Sequence, residues 1–470
     1  MPAMSDFSCN VKENIKRLET SLNVERNFDI LQREVMIAGH RAGFFFIDGF
    51  VREDMVEKLM QFFYSLKESD MENLDVFLEN GMPYTEVEKS GNVDTVITQF
   101  LSGVSVMVVD GFDECLLIDC RTYPMRSVTE PWKDRVLRGA RDGFVETIVH
   151  NAALLRRRVR DTRLSLEMFQ VGECSKSDVA VCYLSDKADM KLVDDIKKRI
   201  KSIEVDALTM NLESLAECLF EHKWIDPFPK FKYSERPDTA AAAILDGNVV
   251  IMVDNSPAVM IIPTSVFDMI EEPDDYNFAP VIGTYLRWSR FVFTMVCMFL
   301  TPVWLLLLNN PQWIPDWLDF VTISDDITVP VIFQLLILEM SVDGLKMAAV
   351  NTPSLLSTPL SVVAGIVVGE YAVSSGWFNP ESMLYMAVVT VGTYSQASFE
   401  MGYAMKFLRI TELILTQIFG LYGFIIGIII VICTIAFNRT ISGKSYIYPL
   451  IPWDGKMLKR KVFRVRLPHG

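Results

Sequence analysis

Hydrophobic and polar positions divide the chain near residue 288. Before it, apolar residues recur at the spacings of surface helices and half-buried strands. After it come three runs without a formal charge: 291–315 (25 residues), 347–369 (23 residues) and 413–438 (26 residues). About 20 apolar residues suffice to cross a bilayer as a helix. The pattern therefore predicts a polytopic α-helical membrane domain over 289–438, with hydrophobic segments at 289–309, 329–350, 354–375, 382–400 and 407–437. The second segment holds three charges and is hemmed by Pro330 and Pro353. Irregular backbone at membrane depth survives only against protein or water, so this segment is expected to be re-entrant or pore-facing, leaving about four crossings.

The first 288 residues read as an α+β cytoplasmic region. Charged helical periodicity at 11–38 and 53–80 predicts a helical N-terminal subdomain over 1–85, closed by Gly81, Pro83 and Gly91. A mixed α/β subdomain over 86–288 follows. Its runs 104–109 and 115–118 are joined by Asp110-Gly111, the signature of a hairpin. Strand-like runs at 179–184, 203–208, 248–253 and 258–262 alternate with helical patterns at 138–158, 189–202 and 211–222. One internal echo stands out: Leu101-Ser-Gly103 leading to Val109-Asp110 recurs as Leu245-Asp-Gly247 leading to Val253-Asp254. The two are expected to be related hairpins paired in one sheet.

Composition sharpens this division. Mean hydropathy is +0.24 and net charge −15 over 470 residues, but the basic tail 439–470 carries eight cationic side chains against one acid, Asp454. A basic segment directly after a membrane helix is a cytoplasmic determinant drawn to anionic lipid, and nucleic-acid binding is not expected. No signal peptide is visible, so both termini are placed in the cytoplasm. Lys406 and Arg409 then fall on the outer side, against the charge rule. The eight cysteines include no Cys-x-x-Cys, and the four histidines show no metal spacing, so free thiols, no metal and no cofactor are expected. Nucleotide-binding loops, zinc-protease motifs and nucleophile elbows are missing as well, and no enzyme is predicted.

Ionisable residues within membrane segments mark function unless they are paired structurally. Glu339 and Asp343 stand four residues apart with Lys346 three further on, so a helix gathers all three on one face. With Glu370 they are the candidate ion pathway, since carboxylates replace part of a cation's water shell. The competing reading is a buried ion-pair cluster in which Lys346 neutralises one acid. Glu400 and Glu412, near segment ends, read as interfacial. Two Gly-x-x-x-Gly steps, Gly365/Gly369 and Gly423/Gly427, predict close helix packing or oligomers. In the soluble half, Arg138, Arg141, Arg156, Arg157 and Arg158 form the densest charge motif. Arginine forks suit carboxylates or phosphates, and in an acidic chain the first expectation is intramolecular or intersubunit ion pairs.

Several of these motifs together carry a resemblance. They are Glu130-Pro131, Arg138-Gly139-Ala-Arg141-Asp-Gly143-Phe144-Val-Glu146, Asn151, Leu155-Arg156-Arg157-Arg158, Ile244-Leu245-Asp246-Gly247 and Pro273-Asp274-Asp275-Tyr276. The chain resembles the A-subunit family of bacterial spore germinant receptors (the GerA family) over nearly its full length. The opening 14–28 segment, Phe45-Phe46-Ile47-Asp48-Gly49-Phe50 and Thr284-Tyr285-Leu286-Arg287-Trp288 look closer to one sporulation branch of it. The resemblance implies a multi-pass protein of the spore inner membrane, a homo-oligomeric cation channel that answers or amplifies the germination signal, and further germination membrane proteins as partners. A permease-like ion-coupled transporter and a non-conducting scaffold remain open alternatives.

Overall fold

The structure, a computed structural model, describes residues 7–51, 53–81, 86–122, 136–220, 226–323, 328–352, 362 and 365–465. The chain forms two compact units, Met1–Glu221 with Phe231–Pro263, and His222–Lys230 with Thr264–Gly470.

The first unit contains two antiparallel five-stranded sheets of the same design. Strands β1 (Ile30–Ile37), β2 (His40–Ile47), β3 (Val87–Ser90), β4 (Ser105–Val109) and β5 (Cys115–Ile118) lie in the order β1-β2-β4-β5-β3. Strands β6 (Leu164–Val171), β7 (Ser177–Leu184), β8 (Lys232–Ser234), β9 (Val249–Val253) and β10 (Val259–Ile262) repeat it as β6-β7-β9-β10-β8. Period-two alternation serves two cores in the first sheet. Phe45, Ile47, Val106 and Val108 face α1 (Val11–Leu22) and α4 (Val93–Leu101), whereas Phe44, Met107, Leu116 and Ile118 face α2 (Glu53–Ser65) and α3 (Leu74–Gly81). On the second sheet, α5 (Ile148–Arg158) and α8 (Pro237–Leu245) cover Leu164, Cys182 and Val250.

The repeat extends to individual hydrogen bonds. The Asp110 carboxylate accepts from the N–H of Val11, the first residue of α1, and Asp254 accepts from that of Ile148, the first residue of α5. Buried Asn14 clasps both backbone groups of Ser8, and buried Asn151 does the same to Val145. The two aspartates each satisfy a donor that a helix N-terminus otherwise leaves unpaired. The echo seen in the sequence is thus one part of a duplicated unit. Its two hairpins do not pair with each other, because each joins the interior strands of its own sheet, β4 to β2 and β9 to β7.

Other expectations shift as well. The helical pattern at 11–38 stops at Leu22, where Asn23 takes a left-handed conformation (φ 50°), and 30–47 forms the β1–β2 hairpin. A boundary at residue 85 would cut through the first sheet, since β2 pairs with β4. Residues 203–208 form no strand.

The second unit is helical: α9 (Val266–Ile270), α10 (Asp274–Asn277), α11 (Pro280–Leu308), α12 (Val331–Asn351), a π-helical turn Gly365–Tyr371, then α13 (Pro380–Tyr394), α14 (Phe399–Ala436) and, with α6 (Met190–Lys201) and α7 (Leu212–Leu219) belonging to the first unit, α15 (Gly455–Val462) last. Among the described residues α11 and α14 are long and apolar enough to cross a membrane. The segment expected to be re-entrant or pore-facing, 329–350, forms α12, one continuous helix of 21 residues, about 31 Å long. Part of the expected 354–375 segment lies outside the described residues.

An interruption falls in α14. Gly420 (φ 57°, ψ −134°) leaves the helical region, and the chain doubles back on itself. A Cβ on Gly423 would overlap the backbone carbonyl of Leu415, and one on Gly427 would stand 2.8 Å from Cγ of Glu412. Residues eight and fifteen apart in one straight helix could not meet in this way. Gly423 and Gly427 are therefore the small-residue seam of a helical hairpin. Gly365 and Gly369 have nothing within 4 Å of an added Cβ. Gly423→Ala is expected to destabilise the hairpin by about 1–3 kcal/mol through overpacking, while Gly365→Ala leaves the melting temperature of the detergent-purified protein unchanged. Equal melting of the two variants would contradict the fold-back.

Candidate functional site

The candidate site lies in the helical unit, where α12 meets the first arm of α14. Glu339 and Asp343 share one face of α12, as their spacing predicts, and both approach cations of the hairpin. Arg409 donates from Nε to Glu339 Oε1 at 2.7 Å and from Nη1 to the Cys297 carbonyl of α11. Lys406 donates to the Glu339 carbonyl oxygen at 3.0 Å and to the Asp343 carboxylate. Glu339, Arg409 and Lys406 are buried, while the Asp343 side chain keeps 26% exposure. Two acids and two bases balance, so this cluster holds charge in an apolar setting without a net excess.

Lys346 does not neutralise an acid here. Its ammonium sits over the rings of Tyr394 (4.8 Å) and Tyr403 (5.3 Å), a cation–π arrangement. Glu370 lies apart from the cluster, exposed on the Gly365–Tyr371 turn. Lys406 and Arg409, which broke the charge rule in the sequence, are the counterions of Glu339 and Asp343. Glu412, read as interfacial, is fully buried one turn beyond Arg409.

A second cluster forms where α11 begins. Asp275 is fully buried and accepts from Arg290 Nη2 at 2.6 Å, Arg290 Nη1 at 3.0 Å and Arg287 Nε at 3.2 Å. Arg287 also reaches Glu271 at 2.9 Å and donates to the carbonyls of Arg460 and Lys461. Burial alone would lower the Lys461 pKa, but the Asp268 and Glu271 carboxylates outweigh it and hold the amine above its usual range. Part of the basic tail is therefore internal structure. Lys456 and Lys459 stay exposed, as do Trp453 and Ile451. Asp275 could have been suspected from its Asp-Asp-Tyr motif, but its partners could not.

The arginine motif divides. Arg156 is fully buried and grips Asp29 with two bonds (2.8 and 2.9 Å) and Asn27 with a third at 3.0 Å. Arg158 pairs with Asp142, Arg157 is exposed at the end of α5, and Arg138 and Arg141 are exposed in the segment preceding it. These five do not converge on one site; the intramolecular pairing expected of such a motif is realised at Arg156 and Arg158.

The described residues include no group of three or more His, Cys, Asp or Glu arranged to hold a metal ion. All eight cysteines are free thiols, and burial pushes that of Cys115 up to about 12.

Comparison with known proteins matches this architecture to one group. Stage V sporulation protein AF of Bacillus subtilis (strain 168) is 36% identical over 461 residues, covering 98% of this chain and 93% of that protein. Spore germination protein KA of the same organism is 26% identical over 95% of this chain and 83% of its own length. Among solved structures, the N-terminal domain of the A subunit of the Bacillus megaterium spore germinant receptor GerK3 aligns with 56% of this chain and 97% of its own, at 24% identity and a TM-score of 0.43. The profile of the Bacillus/Clostridium GerA spore germination proteins matches residues 16–469, and the chain belongs to that family.

Proposed function

We propose that the protein is a non-enzymatic subunit of a homo-oligomeric cation channel in the spore inner membrane, acting with other germination membrane proteins. The observation that carries this reading is the charge cluster of Glu339, Asp343, Lys406 and Arg409 inside an otherwise apolar helical unit. Asp343 keeps partial exposure, and beside it α12 leaves Met340 (76% exposed), Gly344 and Met347 (62%) exposed. An apolar face next to a half-accessible carboxylate suits burial against a second copy, with Asp343 turned towards a shared path. Lipid and protein can both cover the exposed apolar residues of α11 and α14, such as Val281, Tyr422 and Ile429.

With continuous α12 counted as a crossing in place of the last segment, the hairpin supports a topology with both termini on the cytoplasmic side. By folding back at Gly420, the last hydrophobic segment returns the chain to the side on which that segment began. Exposed Lys456 and Lys459 beside Trp453 then suit an anionic membrane surface.

Recordings from the full-length protein in planar bilayers test the proposal. Unitary cation current steps are expected. Asp343→Asn, which leaves the Glu339–Arg409 pair in place, is expected to alter conductance or cation selectivity. Saturable flux without steps would favour an ion-coupled transporter, and no flux a scaffold; either result overturns the channel.

A further inference from the structure

One buried ionisable side chain of α14 stands outside the charge cluster. Glu412 is fully buried, and neither of its carboxyl oxygens has a hydrogen-bond partner among the described residues. It is wedged against Gly427 of the second hairpin arm, where even a methyl group would crowd its Cγ. The nearest cations on its own arm are committed: Arg409 to Glu339 and the Cys297 carbonyl, Lys406 to Asp343 and Glu339. Lys346 on α12 is engaged with the Tyr394 and Tyr403 rings, and Cys297 on α11, Glu339 and Asp343 on α12, and Glu381 and Tyr385 on α13 add no positive charge. The second arm carries only Tyr422 and Cys433.

Two further open hydroxyls lie on the same packed helices. Thr416 lies one turn along the same face, and Thr301 belongs to α11. The two helices run side by side in the same direction, since Cys297 meets Arg409 while Trp304 and Leu305 cluster with Leu413. Thr301 thus lies on the stretch of α11 that runs along the first arm of α14. Both threonine hydroxyls are buried and lack partners among the described residues. Buried polar groups are ordinarily satisfied, so a buried carboxyl left open, with two open hydroxyls on the same packed helices, marks a site with an occupant. An unpaired carboxylate in such surroundings is strongly disfavoured, whereas the protonated acid is tolerated.

We propose that Glu412 is a proton-binding site whose occupancy holds the hairpin closed. In the closed form the carboxylate has taken one proton from water and is a neutral acid against Gly427. Release of that proton leaves a bare charge that water or a cation must meet, and the arms part about Gly420 to admit it. The site deepens the channel reading, and depends on it only for the flux measurement below.

Infrared difference spectra of the full-length protein in lipid, wild type against Glu412→Gln at neutral pH, test the site directly. A protonated-carboxyl stretch that shifts in heavy water, disappears in Glu412→Gln and moves in Glu412→Asp is expected. Spectra without that band would show an ionised Glu412 and overturn the proposal, whatever the protein conducts. In vesicles, cation flux through the wild type is expected to depend on pH, and flux through Glu412→Gln to lose that dependence. Flux equally pH-dependent in both would overturn the role in closure, while no flux from either would sink the channel reading and leave the infrared result to decide the proton site.

Discussion

Glu339→Gln is expected to destabilise the helical unit by about 3–5 kcal/mol, the loss typical when one partner of a buried ion pair is removed. Arg409 would remain buried without an anionic partner, left with the neutral amide oxygen of the substituted side chain and the Cys297 carbonyl as acceptors, and Lys406 would keep Asp343 but lose the second carboxylate. Thermal unfolding in detergent should show the drop. The double variant Glu339→Met with Arg409→Met should recover most of it, because removing both charges together avoids an unpaired one. If Glu339→Gln melts with the wild type, the pair is open to water and Glu339 is available as part of a path. The same measurement thus separates the two readings of this helix face.

Arg156→Ala should cost a similar amount, about 3–5 kcal/mol, in the α/β unit. Asp29 is fully buried, and the guanidinium makes two bonds to it and one to Asn27. Asn27 also accepts from the backbone of Leu166 in β6, so the arginine binds a joint between the two repeats of the fold. Arg156→Lys should restore little, since an ammonium cannot reproduce the two-pronged geometry. Arg138→Ala, on an exposed segment, should stay within about 0.5 kcal/mol of the wild type. Chemical denaturation followed by limited proteolysis of the α/β unit measures all three; equal losses for Arg156 and Arg138 would refute the assignment.

What the sequence revealed depended on how local each signal was. The Asp110-Gly111 hairpin, β7, β9, β10, α6 and α7 were all legible, because turn chemistry and short-range periodicity specify them. Strand β1 was not: Ile-Leu-Gln-Arg-Glu-Val-Met-Ile alternates poorly, being an edge strand with charge on its open side, and it followed a true helix without an obvious stop. The echo between 101–110 and 245–254 pointed to a duplication, but four shared residues carried no information on sheet partners.

In the site, the i, i+4 spacing placed Glu339 and Asp343 on one face correctly. Their counterions lie more than sixty residues away, Lys406 being 67 from Glu339, and no local pattern encodes such a meeting. Glu412 was misjudged for a related reason. With 407–437 read as a single rod, it stood near an end, whereas the turn at Gly420 puts it deep between two arms.

That turn also bears on how the segment reaches its place. Both ends of α14 lie on one side of the helical unit, so neither Ser398 nor Asn438 need be carried across whatever surrounds it. The tip from Ile418 to Tyr422, which reaches furthest, holds no charged residue. The pair of arms can therefore slot in tip first as a preformed wedge, with the cationic tail left behind at the threshold.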